Sequence, residues 1–159
     1  MEIKKLNAEV FTQFDLDWPL LAAGTMDSHN AMTIGWGGMG TLWNKPVVTV
    51  YVRPQRYTYE FLEREDYFTV SFYGEEYREA LSVMGTKSGR DCDKEAEAKL
   101  TPVPMGESIT FGEAKFTLLC RKIFFQDLDP AAIPAEVQEA QYPNRDYHRM
   151  YIGEVVEIR

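Results

Sequence analysis

The sequence predicts a mainly β fold of the α+β class, an antiparallel sheet closed into a barrel with short helices packed outside it. Strand signals are many and helix signals are few and short. The two do not alternate as a wound parallel sheet would require. A length of 159 residues suits one domain with one core, and 45% apolar with 13% aromatic residues argues against disorder.

The elements follow in order. Trp18 to Ala23 is a short apolar run ending at Gly24, and Ala31 to Trp36 is a second. Val47-Val48-Thr49-Val50-Tyr51-Val52 is the clearest strand, rich in β-branched residues and bounded by Pro46 and Pro54. Thr58 to Arg64 reads as a helix with Thr58 as its N-cap and Phe61 and Leu62 on its buried face. Tyr67 to Tyr73 reads as a strand ending at Gly74, and Glu76 to Met84 as a helix stopped by Gly85. Asp93 to Lys99 is a short, charged helix, and Lys115 to Leu128 a long strand. Pro130, Pro134 and Pro143 mark an irregular connection. Met150 to Ile158 closes the chain as a strand, with Gly153 a bulge or a close approach.

Charge narrows the class of ligand. Seventeen basic against 25 acidic residues give a net charge of −8, which repels nucleic acid and anionic lipid. A phosphate-bearing ligand must therefore find a local basic cluster. Two cysteines, Cys92 and Cys120, form no disulfide framework or metal-ligand spacing, so no metal is expected and a reducing compartment is the default. The first residues lack a signal-peptide pattern, and no apolar run reaches the roughly 20 residues that cross a bilayer. The expected location is cytoplasmic.

Three stretches carry candidate chemistry. Gly35-Trp36-Gly37-Gly38-Met39-Gly40 matches G-x-G-x-x-G, but no helix signal follows, so a dinucleotide turn is rejected. Either these glycines form a hairpin with Trp36 and Trp43 plugging the core, or they form a wall against which a flat ring lies. Arg53-Pro54-Gln55-Arg56-Tyr57-Thr58 joins a strand end to a helix start. A helix N-terminus attracts phosphate, and the planar guanidinium fork suits it. The alternative is a solvated turn whose arginines pair with acids such as Glu60 and Glu63. Lys87-Ser88-Gly89-Arg90-Asp91 with Lys94 is either an anion-binding nest or an exposed charged loop.

Asn30-Ala31-Met32-Thr33 followed by Trp36, then Arg53 to Thr58, then Lys87 to Asp91 with Lys94, and last Tyr147 to Val155, stand in an order that resembles the flavin-reductase-like family with its FMN-binding split barrel. Flavoredoxin-like proteins belong to the same family. The resemblance implies a six-stranded antiparallel split β-barrel with short peripheral helices, one FMN-binding domain over residues 1–159, and a homodimer with FMN near the interface. It implies that Asn30, Met32, Thr33, Ile34, Gly35 and Trp36 pass beside the isoalloxazine. Arg53, Arg56, Tyr57 and Thr58 map to the phosphate and ribityl region, and Ser88, Gly89, Arg90 and Lys94 to a second loop over the cofactor. The implied activity is an FMN-dependent oxidoreductase that transfers hydride from NADH or NADPH through FMN to free flavin or a small acceptor. The alternative is a flavoredoxin-like carrier that exchanges electrons with a partner protein.

Flavin chemistry belongs to the cofactor, so no side-chain triad is required. His148 is the catalytic candidate: in similar proteins a histidine near the closing strand lies by the nicotinamide, where it stacks or donates a proton near neutral pH. Otherwise it is an interface or surface residue. His29 is expected in a loop. Cys120, in its apolar strand, is expected in the core with its thiol protonated.

Overall fold

A computed structural model describes residues 2–159. Among the described residues, nine strands divide into a large antiparallel sheet and a small hairpin. The large sheet contains β1 (Leu20–Thr25), β2 (Ser28–Thr33), β3 (Gly37–Leu42), β4 (Lys45–Val52), β5 (Tyr67–Phe72), β8 (Phe116–Asp127) and β9 (Arg149–Ile158). The hairpin pairs β6 (Pro102–Met105) with β7 (Ser108–Phe111). Four short helices intervene: α1 (Tyr57–Arg64), α2 (Arg78–Thr86), α3 (Lys94–Ala98) and α4 (Ala135–Gln141).

The strand order is β2-β1-β5-β8-β9-β4-β3, so β1–β2, β3–β4 and β8–β9 pair with their chain neighbours, while the consecutive strands β2 and β3 fall at opposite ends of the sheet. Seven strands, not the expected six, make this sheet, and its end strands β2 and β3 do not pair with each other. The extra strand is β3, which the glycines hid. It pairs with β4 from Gly37↔Val50 to Leu42↔Lys45, confirming that no helix follows the G-x-G-x-x-G match.

Alternation builds the core. Val48, Val50 and Val52 of β4 face inward beside Phe68, Val70, Leu118, Cys120 and Tyr151, while Thr49 and Tyr51 face out. Helix α1 closes one end of this core with Phe61 and Leu62. Burial pushes the Cys120 thiol well above its ordinary range, so it stays protonated. Strand β1 is buried on both faces, because Leu20 and Ala22 pack into a second cluster with Ala31, Leu81, Met84, Ile109 and Phe111. Its run of small and apolar residues follows from that double burial.

Gly153 sits where β9 crosses Phe68. A Cβ there would lie 2.6 Å from the Phe68 ring and 2.7 Å from the Cys120 Cβ, so the expected close approach is real. The β8–β9 register also shifts beside it, between Lys122 and Phe124.

Several boundaries move. Helix α2 runs through Gly85 to Thr86 rather than stopping before it. The proline-rich connection contains a short turn, Pro130–Ala132, and then α4. His29 is a strand residue of β2, not a loop residue. Among the described residues, no helix is long and apolar enough to cross a membrane.

Candidate functional site

Two cavities adjoin at Met32 of β2. The first, about 170 Å³, is lined by Asn30, Gln55, Arg56, Tyr57, Thr58, Gly85, Thr86, Lys87, Ser88 and Lys94. The second, about 200 Å³, is lined by Thr33, Ile34, Gly35, Trp36, Tyr51, Arg53 and His148. A larger cavity of about 500 Å³ lies under the N-terminal segment. The Lys4 ammonium on its wall is already bonded to the Asn44 carbonyl, and nothing there converges on an anion.

The first cavity opens on the N-terminus of α1. Arg56, not Thr58, is the N-cap, and no side chain caps the helix. The first-turn N–H groups therefore keep their positive character toward the cavity. Thr58 is instead wholly buried, and its hydroxyl accepts from Asn30 Nδ2 at 2.8 Å. That bond ties α1 to β2. Gly89 presses on the same asparagine: a Cβ there would lie 2.2 Å from Asn30 Oδ1. Gly85 lies against Thr33, with only 3.0 Å for a Cβ.

Three cations line this cavity; Lys87 is paired with Glu97, which leaves two, Arg56 and Lys94. Arg56 Nη2 donates to the Gly85 carbonyl at 3.1 Å. Lys94, only 4% exposed, donates to the carbonyls of Met84 at 2.9 Å and Lys87 at 3.2 Å. Among the described residues, no carboxylate pairs with either cation. Burial, and then the charge of Arg56, lower the Lys94 ammonium to about 8. Burial lowers Arg56 from its ordinary value too. Two desolvated positive charges without an acid constitute a site that an anion would relieve.

Arg53 and Arg90 do not join them. Arg53 lines the second cavity and pairs with Asp146 at 2.9 Å. A strand end turns successive side chains to opposite sides, and Arg56 stands three positions, an odd number, after Arg53. Arg90 lies over the Tyr57 ring at 4.7 Å and pairs with Glu60 at 2.6 Å, while donating to the Gln55 carbonyl at 3.0 Å. It lashes the 87–93 loop to α1. Neither Arg90 nor Gly89 lines either cavity, so the solvated alternative holds for Arg90.

The second cavity is aromatic. The rings of Trp36 and His148 lie 5.1 Å apart at 56°. Tyr142 OH meets His148 Nδ1 at 2.6 Å. Burial, and then the neighbouring Arg53, push His148 down to about 4, against the opposing charge of Asp146. The imidazole is therefore neutral at pH 7, an uncharged ring with an N–H to donate and a face to stack. The two tryptophans plug nothing: Trp36 is 46% and Trp43 60% exposed.

Gln55, Tyr51, Gly85, Thr86 and Tyr142 contribute without having been singled out from the sequence. Gly85 read as a helix stop, and nothing local marks Tyr142.

The flavin reductase like domain model matches residues 18–159, nearly the whole chain. The chain belongs to the flavin reductase-like domain family. Among solved structures, this family member is similar to a flavoredoxin from Methanosarcina acetivorans, with 22% identity, a TM-score of 0.71, and coverage of 98% of this chain and 73% of the other. A flavoredoxin of Desulfovibrio vulgaris (Miyazaki F) has 22% identity, a TM-score of 0.70, and coverage of 100% and 76%. The styrene monooxygenase flavin reductase of Pseudomonas putida S12 has 17% identity, a TM-score of 0.66, and coverage of 90% and 78%. At such identities the likeness is one of fold. A comparison with curated proteins gave no match.

Proposed function

We propose that this flavin reductase-like chain binds FMN, with the phosphate in the first cavity and the ring along Met32 to Trp36, and that it acts as a flavin-reductase-type oxidoreductase. The observation that carries the reading is a pair of acid-free cations, buried Lys94 and half-buried Arg56, on a cavity that adjoins an aromatic one. FMN, when bound, supplies hydride and electron transfer between NADH or NADPH and free flavin or a small acceptor. The chain's residues bind and orient. Arg56, Lys94 and the open end of α1 hold the anion. Asn30, fixed by Thr58 and backed by the close-packed Gly89, forms part of the cavity's wall. Trp36 and neutral His148 offer ring faces where a nicotinamide or other planar partner docks.

The test compares FMN with riboflavin, which lacks the phosphate. Losing one charge-assisted contact costs about 1.5–3 kcal/mol, roughly 10- to 100-fold in affinity. Arg56→Ala and Lys94→Met should therefore weaken FMN at least about tenfold more than riboflavin in a fluorescence titration. Equal losses for both ligands would refute the phosphate site. Rapid bleaching of the yellow protein by NADH or NADPH supports the reductase. Bleaching only by a reduced partner protein makes it a carrier.

The chain is further proposed to act as a homodimer. Trp43 and Phe124 lie with ring centroids 6.4 Å apart, and Phe124 neighbours Ile152 across β8 and β9. This strip runs on to Thr49 and Gly38 on the outer face.

A further inference from the structure

Arg53 stands three residues before Arg56, yet its guanidinium serves a different purpose. Every polar contact it makes falls on the segment from Gln141 to His148, which leads from α4 into β9. Nη2 donates to the Gln141 carbonyl at 2.9 Å, and Nη1 to the Asp146 carbonyl at 3.3 Å. Nη1 also lies 2.9 Å from Asp146 Oδ1, an ion pair not aligned as a hydrogen bond. The guanidinium sits 4.9 Å from the centroid of the Tyr142 ring. Gln55 completes the clasp by donating to Asp146 Oδ2 at 2.7 Å.

The clasped segment builds one wall of the second cavity. Tyr142 is buried and bonded to His148, and His148 faces Trp36. Helix α4 has few neighbours in the sheet, so the segment's placement depends on this clasp and on the start of β9. From this geometry we infer that Arg53 is a positioning residue, not a phosphate ligand: it latches residues 141–148 so that His148 and Trp36 form the docking wall for the planar redox partner. The inference rests on the proposed function for what the wall receives, but the latch itself does not.

Arg53 suits this role because a fork reaches two carbonyls and a carboxylate at once. A lysine offers one point charge. The charged and titratable groups facing His148 are Arg53, Asp146 and Tyr142. Opening the latch removes both the burial and the positive charge that hold His148 down.

Arg53→Ala, Arg53→Lys and Arg56→Ala decide the matter, with circular dichroism and melting to confirm folding. The His148 ring is titrated by NMR in ligand-free protein, with His29 as the internal reference, and FMN and riboflavin are titrated alongside. In Arg53→Ala the His148 midpoint should rise from about 4 by a unit or more toward its ordinary range. Arg53→Lys should rise as well, since it restores charge without the fork. Both variants should keep the wild-type FMN-over-riboflavin preference within about twofold, whereas Arg56→Ala loses it. An unmoved His148 in Arg53→Ala overturns the latch. A wild-type His148 in Arg53→Lys reduces the effect to charge and overturns positioning. A phosphate preference lost as fully in Arg53→Ala as in Arg56→Ala makes Arg53 a phosphate ligand and also overturns it. If wild type itself shows no preference for FMN, the proposed function fails, while the His148 titration still reads the latch.

Discussion

Lys94 holds its ammonium against two carbonyls with no carboxylate in range, and this sets its pH behaviour. Its folded value, about 8, lies below the ordinary 10.5. The ligand-free fold is therefore penalised below about pH 8 and gains stability as pH rises from there toward 10.5. Of the two acids that flank it in sequence, Asp93 caps α3 and Glu95 is engaged with His29 at 2.9 Å, and the charge of Glu95 is outweighed by burial and Arg56. A phosphate beside Lys94 would favour the protonated form, so binding above pH 8 must take up a proton. The expected outcome is FMN affinity that is steady from about pH 7 to 8 and then falls by up to about tenfold per unit. Riboflavin affinity should stay flat over the same range. Fluorescence titration at each pH checks this, and parallel curves for the two ligands would remove Lys94 from the phosphate site.

Lys94 depends in turn on α3, an element of five residues that forms no stable helix alone. Asp93 caps it by accepting from the Ala96 N–H at 3.1 Å, and His29 of β2 grips Glu95. The hydrogen bond to Glu95 raises His29 above 6.5, against the opposing effect of burial. A raised histidine contributes stability that is full below the unfolded value and is lost as pH rises through the folded one. Amide exchange in α3 should therefore speed up, relative to β5, as pH climbs above about 6.5. Glu95→Gln should show the faster exchange at every pH. Protection in α3 that ignores both changes would show that His29 does not hold it.

The elements that the sequence disclosed are those whose own pattern matched their burial. Val47 to Val52 alternates on a half-buried strand, and Lys115 to Leu128 is long enough to survive an irregular register. Strand β3 was obscured because Gly38 and Gly40 carry no side chains to alternate. The β6–β7 hairpin has four residues per strand and two prolines, too little to signal. At the site, the order of motifs brought Asn30, Arg56, Thr58, Ser88 and Lys94 to one cavity. The side chains of Arg53 and Arg90 leave that cavity, because spacing says where a backbone runs, not which way a long side chain leaves it.

Across the whole molecule, a net charge of −8 and an apolar strip, with Trp43 exposed and Phe124 and Ile152 half-buried, act against each other. Two copies repel at a distance, yet the face that carries Trp43, Phe124 and Ile152 gains by leaving water. Salt shortens the repulsion, from a screening length of about 10 Å at 0.1 M to about 3 Å at 1 M, while apolar burial is unaffected or strengthened. Self-association should thus tighten as salt rises. Trp43 sharpens the test. It occupies the two-residue turn between β3 and β4 with φ 52°, and Asn44 follows at φ 60°. Such a turn favours asparagine or glycine, and a bulky residue there is strained. Within the monomer Trp43 meets the Phe124 ring at 6.4 Å yet stays 60% exposed, which leaves most of its surface for the proposed dimer contact. Trp43→Asn should therefore leave the dilute monomer as stable as wild type or more so, while weakening the dimer by about tenfold or more. Sedimentation equilibrium measures the second effect and thermal unfolding of dilute protein the first. A dimer unmoved by Trp43→Asn, or one that loosens as salt rises, would place the contact on another face.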